Sequence, residues 1–315
     1  MTATARTAPR IKSKARPADR VFSGATMAAG VIILVALAAV AIFLLAESAP
    51  ALTGDLSNVK GSPDSFWAYV APLAFGTVWA AFIALVLALP LSIGIALFIS
   101  HYAPRRIAQV LGYIVDLLAA VPSVVFGLWG ITVLAPAVVP LYNWLHDNLG
   151  WLPFFTGQVD QTGRTILTVA IVLAVMIIPI ITSLTREVFL QTPKLHEEAA
   201  LALGATRWEM IKMAVLPFGR PGIISAAMLG LGRALGETMV VAMLLSPAYV
   251  ITFVLTSGQN PSTIAGNIAL NFPEAHGIAV NALIGTGLVL FVITLIVNSL
   301  ARWVVARRAA FSGAN

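Results

Sequence analysis

Three ionisable residues, Asp116, Arg233 and Glu237, stand inside otherwise apolar stretches of this chain. A charge near the middle of a bilayer costs roughly 2.5–3.5 kcal/mol on insertion scales, so each of them needs a partner or a task. Arg233 and Glu237 are four positions apart, which on an unbroken helix puts both on one face. Arg233 also lies twelve residues beyond Pro221, about 18 Å of helical rise, close to the centre of a hydrocarbon core about 30 Å thick. Asp116 is expected roughly 13 Å into a span that opens near Ile107. Two readings stay open: an internal ion pair that fixes helix packing, or Arg233 lining a route for an anion with Glu237 holding it in place. The three charges sum to −1, so an anion there would need help from helix N-termini or from another chain.

A second group occupies Arg186–Arg220, the only sizeable polar stretch between apolar runs. Thr192 before Pro193 suits a cap and first turn, opening a helix over Lys194–Leu203 that carries Glu198, Ala199 and Ala200. Gly204 follows where a left-handed helix cap would sit. Thr206 and Glu209 have capping-box spacing for a second helix, Arg207–Leu216, which Pro217 is expected to end. The resulting helix–turn–helix, lying on the inner membrane surface, is either a plain amphipathic connector or a docking element. For docking, small alanines and a turn glycine let a short helix seat in a groove, while Glu198 offers a carboxylate to its rim.

The elements that must position these residues are membrane spans. Uncharged apolar runs of 18 or more residues read as spanning helices, and Val21–Ala46, Ala71–Ser100, Thr165–Thr185 and Ile278–Ala301 qualify. Two more runs carry the charges, about 107–136 with Asp116 and about 221–245 with Arg233 and Glu237. This gives six spans in an all-α integral membrane protein. Val138–Phe155 and Pro247–Thr256 are expected to be interfacial or re-entrant. The composition agrees: of 315 residues 59% are apolar and only 10% charged, with a mean hydropathy of +0.93. A soluble domain has roughly 25% charged residues, so a soluble enzyme and a disordered chain are both excluded.

Charge placement sets the orientation. Sixteen Lys and Arg fall in the N-terminal tail, the loops after spans two and four, and the C-terminus, whereas Lys60 and Arg164 alone fall on the other side. That bias places both termini in the cytoplasm and turns the basic balance into a topology signal, with no nucleic-acid partner implied. The 26 uncharged residues of Val21–Ala46 exceed the ~7–15 of a cleaved signal peptide's apolar core, which favours a retained anchor. The expected organisation is a basic tail over 1–20, a six-span body over 21–301 and a cytoplasmic tail over 302–315.

The chain lacks the catalytic signatures it could be tested for. It has no cysteine, no P-loop motif, no H-E-x-x-H and no G-x-S-x-G. Gly230, Gly232 and Gly236 read as small-residue helix packing. None of His101, His146, His196 and His276 has a second ligand at metal spacing, so neither a metal nor a cofactor is expected.

Glu198-Ala199-Ala200, Gly204 and Leu216-Pro217 resemble the EAA loop of ABC-importer permeases, with Ala214 where that pattern has Ile. Arg233-Ala-Leu-Gly-Glu237-Thr238, and the stretch Asp116-Leu-Leu-Ala-Ala-Val-Pro122-Ser123 continuing to Gly127 and Gly130, look like the phosphate-specific (Pst) permeases. The long outer segment between spans three and four favours the PstC type. The resemblance implies the type I ABC-importer permease fold in a bacterial cell (inner) membrane. It implies transport without an ATPase of its own, with Glu198, Ala199, Ala200, Gly204, Leu216 and Pro217 coupling to the ATPase. Arg233, Glu237 and Asp116 would line the translocation pathway. The implied partners are a PstA-type sister permease, two PstB-type ATP-binding subunits, an external PstS-type phosphate-binding protein, phosphate itself and the lipid bilayer. Pro122, Ser123 and Gly127 bend the third span, either to line a cavity or for close packing. An ABC permease for another oxyanion or small solute, or an ion-coupled secondary transporter, are the alternatives.

The topology is testable in this cysteine-free chain. Single cysteines at Ser62 and Gln158 should react with an impermeant thiol reagent from outside, and those at Thr7 and Ala205 should not. Labelling at Thr7 would reverse the orientation.

Overall fold

A computed structural model of the protein describes residues 17–246 and 248–309. The expected basic tail lies outside the described residues as far as residue 16, and so does the end of the expected C-terminal tail from residue 310. The described residues form helices α1 (Pro17–Thr53), α2 (Phe66–Leu97), α3 (Arg105–Ala119), α4 (Ser123–Trp129), α5 (Ala135–Leu149) and α6 (Ile166–Leu190). These are followed by α7 (Lys194–Ala202), α8 (Arg207–Met210), α9 (Leu216–Leu235), α10 (Met239–Leu244), α11 (Ile264–Asn271) and α12 (Ile278–Ala309). Three π turns, Phe98–Tyr102, Gly130–Leu134 and Ile211–Val215, continue or join helices. Six stretches are long and apolar enough to cross a membrane: Val21–Thr53, Phe66–Tyr102, Ser123–Leu149, Ile166–Leu190, Arg207–Leu235 and Ile278–Trp303.

Of the described residues, Pro17–Glu47 form one unit, made of most of α1, with its Val, Ile and Leu side chains largely exposed. The second unit holds everything from Ser48 onward. At its centre stands α6, with 67% of its most apolar window buried, packed against α2 and α9. Close approach depends on a row of small residues on α2: Ala80, Ala84, Ala88, Ser92 and Ala96 recur every four positions and are all at most 1% exposed. Such rows substitute for the hydrophobic driving force that lipid does not supply between helices. Two hydroxyls lock the pair, since Ser92 Oγ donates to the Ile178 carbonyl (3.2 Å) and Thr182 Oγ1 to that of Ser92 (3.5 Å).

The third and fifth spans differ from expectation. The third begins at Ser123, not near Ile107, and runs through Val138–Leu149, a stretch expected to be interfacial. Pro122 accounts for the start. It disfavours helical backbone at Val121, so the chain turns between α3 and α4. The freed helix α3 is amphipathic, so Asp116 is an exposed residue on it and not a charge within a span. In the fifth span Pro217 does not end a helix. The helix from Arg207 runs through the π turn into α9 as far as Leu235. The missing proline N–H is tolerated because the wider turn just before it already departs from the regular bonding pattern. Nor does Thr192 cap α7. Its buried hydroxyl has no partner, and Pro193 takes the cap position.

Between α10 and α11 the described residues are non-helical, and Pro261 and Ser262 pack onto α2. A Cβ on Gly76 would run into the Ser262 carbonyl, so this crossing requires glycine. Thr77 Oγ1 accepts the Ile264 N–H (2.9 Å), and buried Asn267 joins Tyr69, Tyr249 and Asn271. The Tyr249 hydroxyl is the donor to Asn267 Oδ1 (2.9 Å), and burial pushes its phenol up.

Candidate functional site

The three intramembrane candidates fall in three separate places. Arg233 sits in the last turn of α9, half-buried. It lines a cavity of about 580 Å³ with Ile180 of α6, Ser225, Met228 and Gly232 of α9, and Asn298 of α12. Ile180 lies past the midpoint of α6, so the cavity is at the depth of the spanning stretches, and it is open on the side of Ser225, Gly232 and Asn298, which are exposed. Among the described residues Arg233 makes no hydrogen bond or ion pair. A cation is tolerated there because the exposed carbonyls at a helix C-terminus carry partial negative charge.

Glu237 is not its partner. α9 ends at Leu235, and Glu237, 8% exposed, starts the next element, with its Oε1 accepting the N–H groups of Met239 and Val240 at 3.2 Å each. The carboxylate therefore caps α10 from one residue before the N-cap position, which Thr238 holds. The other end of α10 meets a guanidinium, since Arg164 Nη2 donates to the Met243 carbonyl (3.1 Å). A negative group at the first turn and a positive one at the last both match the helix dipole. Sequence reasoning missed Arg164 because Met243 is 79 positions away.

Asp116 lies elsewhere again, with its Oδ1 accepting the Ser183 hydroxyl (2.6 Å) and so tying α3 to α6. It lines a different cavity from Arg233.

The polar loop forms a compact device. Ala205 N–H bonds the Ala200 carbonyl (3.2 Å) and Gly204 N–H that of Leu201 (3.0 Å), which is the Schellman pairing, with Gly204 at φ +87°. Ala200 is buried and packs with Ala205 in a cluster containing Phe189, Met210, Ile211 and Val215, while Leu216 touches its edge. The Thr206–Glu209 capping box is present, opening α8. Glu198, Ala199 and Pro217 face outward. Two features were not anticipated. Leu203 is 90% exposed beside the turn, a large apolar side chain with no cover. Glu197 reaches His101 in the π turn that follows α2 (3.6 Å), whose Nδ1 pairs with Ser100 Oγ (2.7 Å). Among the described residues no group of three His, Asp or Glu could hold a metal.

The family described as "Binding-protein-dependent transport system inner membrane component" matches residues 88–310. This chain belongs to that family. The transport component is 52% identical over 241 residues to "Phosphate transport system permease protein PstC 2" of Mycobacterium tuberculosis, covering 73% of this chain and 74% of the relative. It is 50% identical to PstC of Mycobacterium leprae (73% and 75% covered) and 41% identical to PstC of Mesorhizobium japonicum (78% and 75%). In fold it is similar to a bacterial alginate ABC transporter solved with an alginate pentasaccharide-bound periplasmic protein, with a TM-score of 0.60, 18% identity and coverage of 90% and 93%. The MetNI methionine ABC transporter is a further neighbour, at TM-score 0.53, 12% identity and coverage of 76% and 95%. With six spanning stretches, the transport component is a multi-pass protein of the bacterial inner membrane.

Two substitutions test this geometry. Glu237→Ala removes the cap and should cost about 0.5–2 kcal/mol, whereas Glu237→Gln keeps an acceptor oxygen and should cost less. Equal losses in thermal unfolding would mean that the charge, not the cap, matters. At Gly204 a Cβ meets nothing within 4 Å, so substitution there strains only the backbone. Gly204→Val should cost about 1–2 kcal/mol or more, and Gly204→Asn less, since Asn enters the left-handed region more readily. Unchanged stability in the valine variant would show that the turn adapts.

Proposed function

We infer that this chain is a transmembrane permease subunit of an ATP-driven phosphate importer. It forms half of the translocation pathway and couples to the ATPase through Glu198–Pro217. The observation carrying the substrate assignment is the 52% identity with a phosphate permease over most of both chains. It is supported by Arg233, a guanidinium without a partner among the described residues at the depth of the spanning stretches, since a planar fork of N–H donors suits a phosphate oxyanion. Ser225 and Asn298 supply neutral polar groups to the same cavity.

The partners follow from this role: a PstA-type sister permease, two PstB-type ATP-binding subunits and an external PstS-type phosphate-binding protein. ATP hydrolysis belongs to the PstB-type pair. The basic bias puts both termini and the EAA loop in the cytoplasm. There the exposed face of α7, with Leu195, Glu198, Ala199 and Leu203, is available to the ATPase. The mechanical route is short. α8, the π turn and α9 are one continuous helix, so Arg207 and Arg233 lie on one rod about 39 Å apart. Closure of the ATP-binding subunits moves the loop, and the rod carries that motion to the Arg233 cavity, which opens alternately to either side.

Phosphate uptake per assembled complex tests the pathway. Arg233→Gln should abolish uptake without lowering abundance, because no internal carboxylate is left unpaired. Arg233→Lys should keep part of it, an ammonium lacking the planar fork. Full uptake by Arg233→Gln would remove Arg233 from the pathway. Competition by other oxyanions separates a phosphate permease from a permease for a different anion.

A further inference from the structure

A second cationic cavity, remote in role from Arg233, lies at the end of the bundle that carries the EAA loop. It has a volume of about 540 Å³ between α3, the π turn after α2 and the end of α6, and Arg105, Arg186 and Lys194 line it. Its construction is specific. Arg186, its side chain 17% exposed, lies across α3 at Gly112, where any Cβ would run into the guanidinium, so glycine makes room for the cation. One turn along each helix, Ser183 donates to Asp116 and holds the two helices together. The Arg186 guanidinium is only partly used. Nη2 bonds the exposed Glu187 carboxylate (2.9 Å), and Nε is buried without a partner. Arg105 and Lys194 make no ion pair among the described residues. Counting Asp116 and Glu187 against the three cations leaves +1.

The ligand must therefore be an anion that accepts several N–H bonds, and the setting points to phosphoryl oxygens. The outer side of α3 exposes Ile107, Val110, Tyr113, Ile114, Leu117 and Leu118, while Arg105 and Arg106 begin it. That is the pattern of a helix lying in the membrane interface, with apolar side chains among acyl chains and basic ones at headgroup level. Basic pockets at that level attract anionic headgroups.

We propose that Arg105, Arg186 and Lys194 form a phosphoryl-binding site at the inner end of the bundle, separate from the translocation cavity. The phosphoryl group comes from an anionic phospholipid headgroup or from inorganic phosphate. A site of this kind would fix α3 against α6 beside the coupling loop, so its occupancy would set how firmly the loop is held.

The test uses the full chain purified in neutral detergent with the subunits that accompany it. Dioleoylphosphatidylglycerol, dioleoylphosphatidylcholine and inorganic phosphate are each titrated, with binding read by native mass spectrometry and by the shift in thermal midpoint. Phosphatidylglycerol should bind, and Arg186→Gln should weaken it at least tenfold. Arg105→Gln/Lys194→Gln, which alters only exposed side chains, should weaken it as well, so a folding defect at Arg186 cannot hide the result. Phosphatidylcholine, with no net charge, should not distinguish wild type from variants. If inorganic phosphate alone shows this dependence on the three cations, the source is the free anion and the site stands. If neither phosphatidylglycerol nor phosphate separates wild type from either variant, the site does not exist.

Discussion

Hydrocarbon offers no hydrogen bonds, so every backbone group within a span must find its partner inside the protein. Each interruption of a helix here is therefore answered locally. Where α9 stops, Gly236 and Glu237 N–H groups turn back to the carbonyls of Gly232 and Ala234, and the Glu237 side chain accepts the N–H groups of Met239 and Val240. Thr165 caps α6 through Thr168 in the same way, and the buried Tyr142 phenol closes that network at 2.7 Å. Between α10 and α11, the Leu255 N–H bonds the Phe154 carbonyl (2.8 Å) and the Ser262 N–H that of Ala248 (3.2 Å), and Thr77 Oγ1 of α2 accepts the Ile264 N–H where α11 begins (2.9 Å). At Pro122, by contrast, backbone bonds alone bridge the break, from Val121 N–H to the Leu118 carbonyl and from Val125 N–H to that of Pro122.

Local rules made the EAA loop legible in the sequence. Gly204, Thr206 and Glu209 act on residues within a turn of themselves, so spacing alone foretold the left-handed cap and the capping box. Hydropathy likewise located six spanning stretches, because ~20 apolar residues have few other uses. The third span was misplaced because hydropathy counts Ile107–Ala119 as apolar without asking where the apolar residues point. Their spacing at 107, 110, 114, 117 and 118 marks one face of an interfacial helix, and Pro122 separates it from the span. The loop's tie to the π turn after α2 through His101 and Glu197 was hidden for another reason: the two lie nearly a hundred positions apart, and neither belongs to a local pattern.

The Arg233–Glu237 spacing misled for a physical reason. The i, i+4 rule assumes one helix, and Gly236 at the break invalidates it. A glycine next to a carboxylate followed by Thr-Met-Val-Val reads equally well as the end of one helix and the cap of another. Within an apolar run both readings have the same hydropathy, so composition could not choose between them. Only the end of α9 at Leu235 decides it.

That break gives the two charges separate tasks. Had the helix continued, Glu237 would sit one turn above Arg233 and neutralise it, and a neutral pair in a low-dielectric cavity has little left to offer a passing anion. By ending α9 after Arg233 and engaging Glu237 in capping α10, the chain keeps a carboxylate close in sequence without letting it quench the cation. Arg164 completes the arrangement by occupying the far end of α10. Of the charges around α10, Glu237 and Arg164 are engaged by its two ends, which leaves the Arg233 guanidinium to face the cavity. The small negative sum of Asp116, Arg233 and Glu237 is thus no obstacle to an anion route, because the three never act at one place.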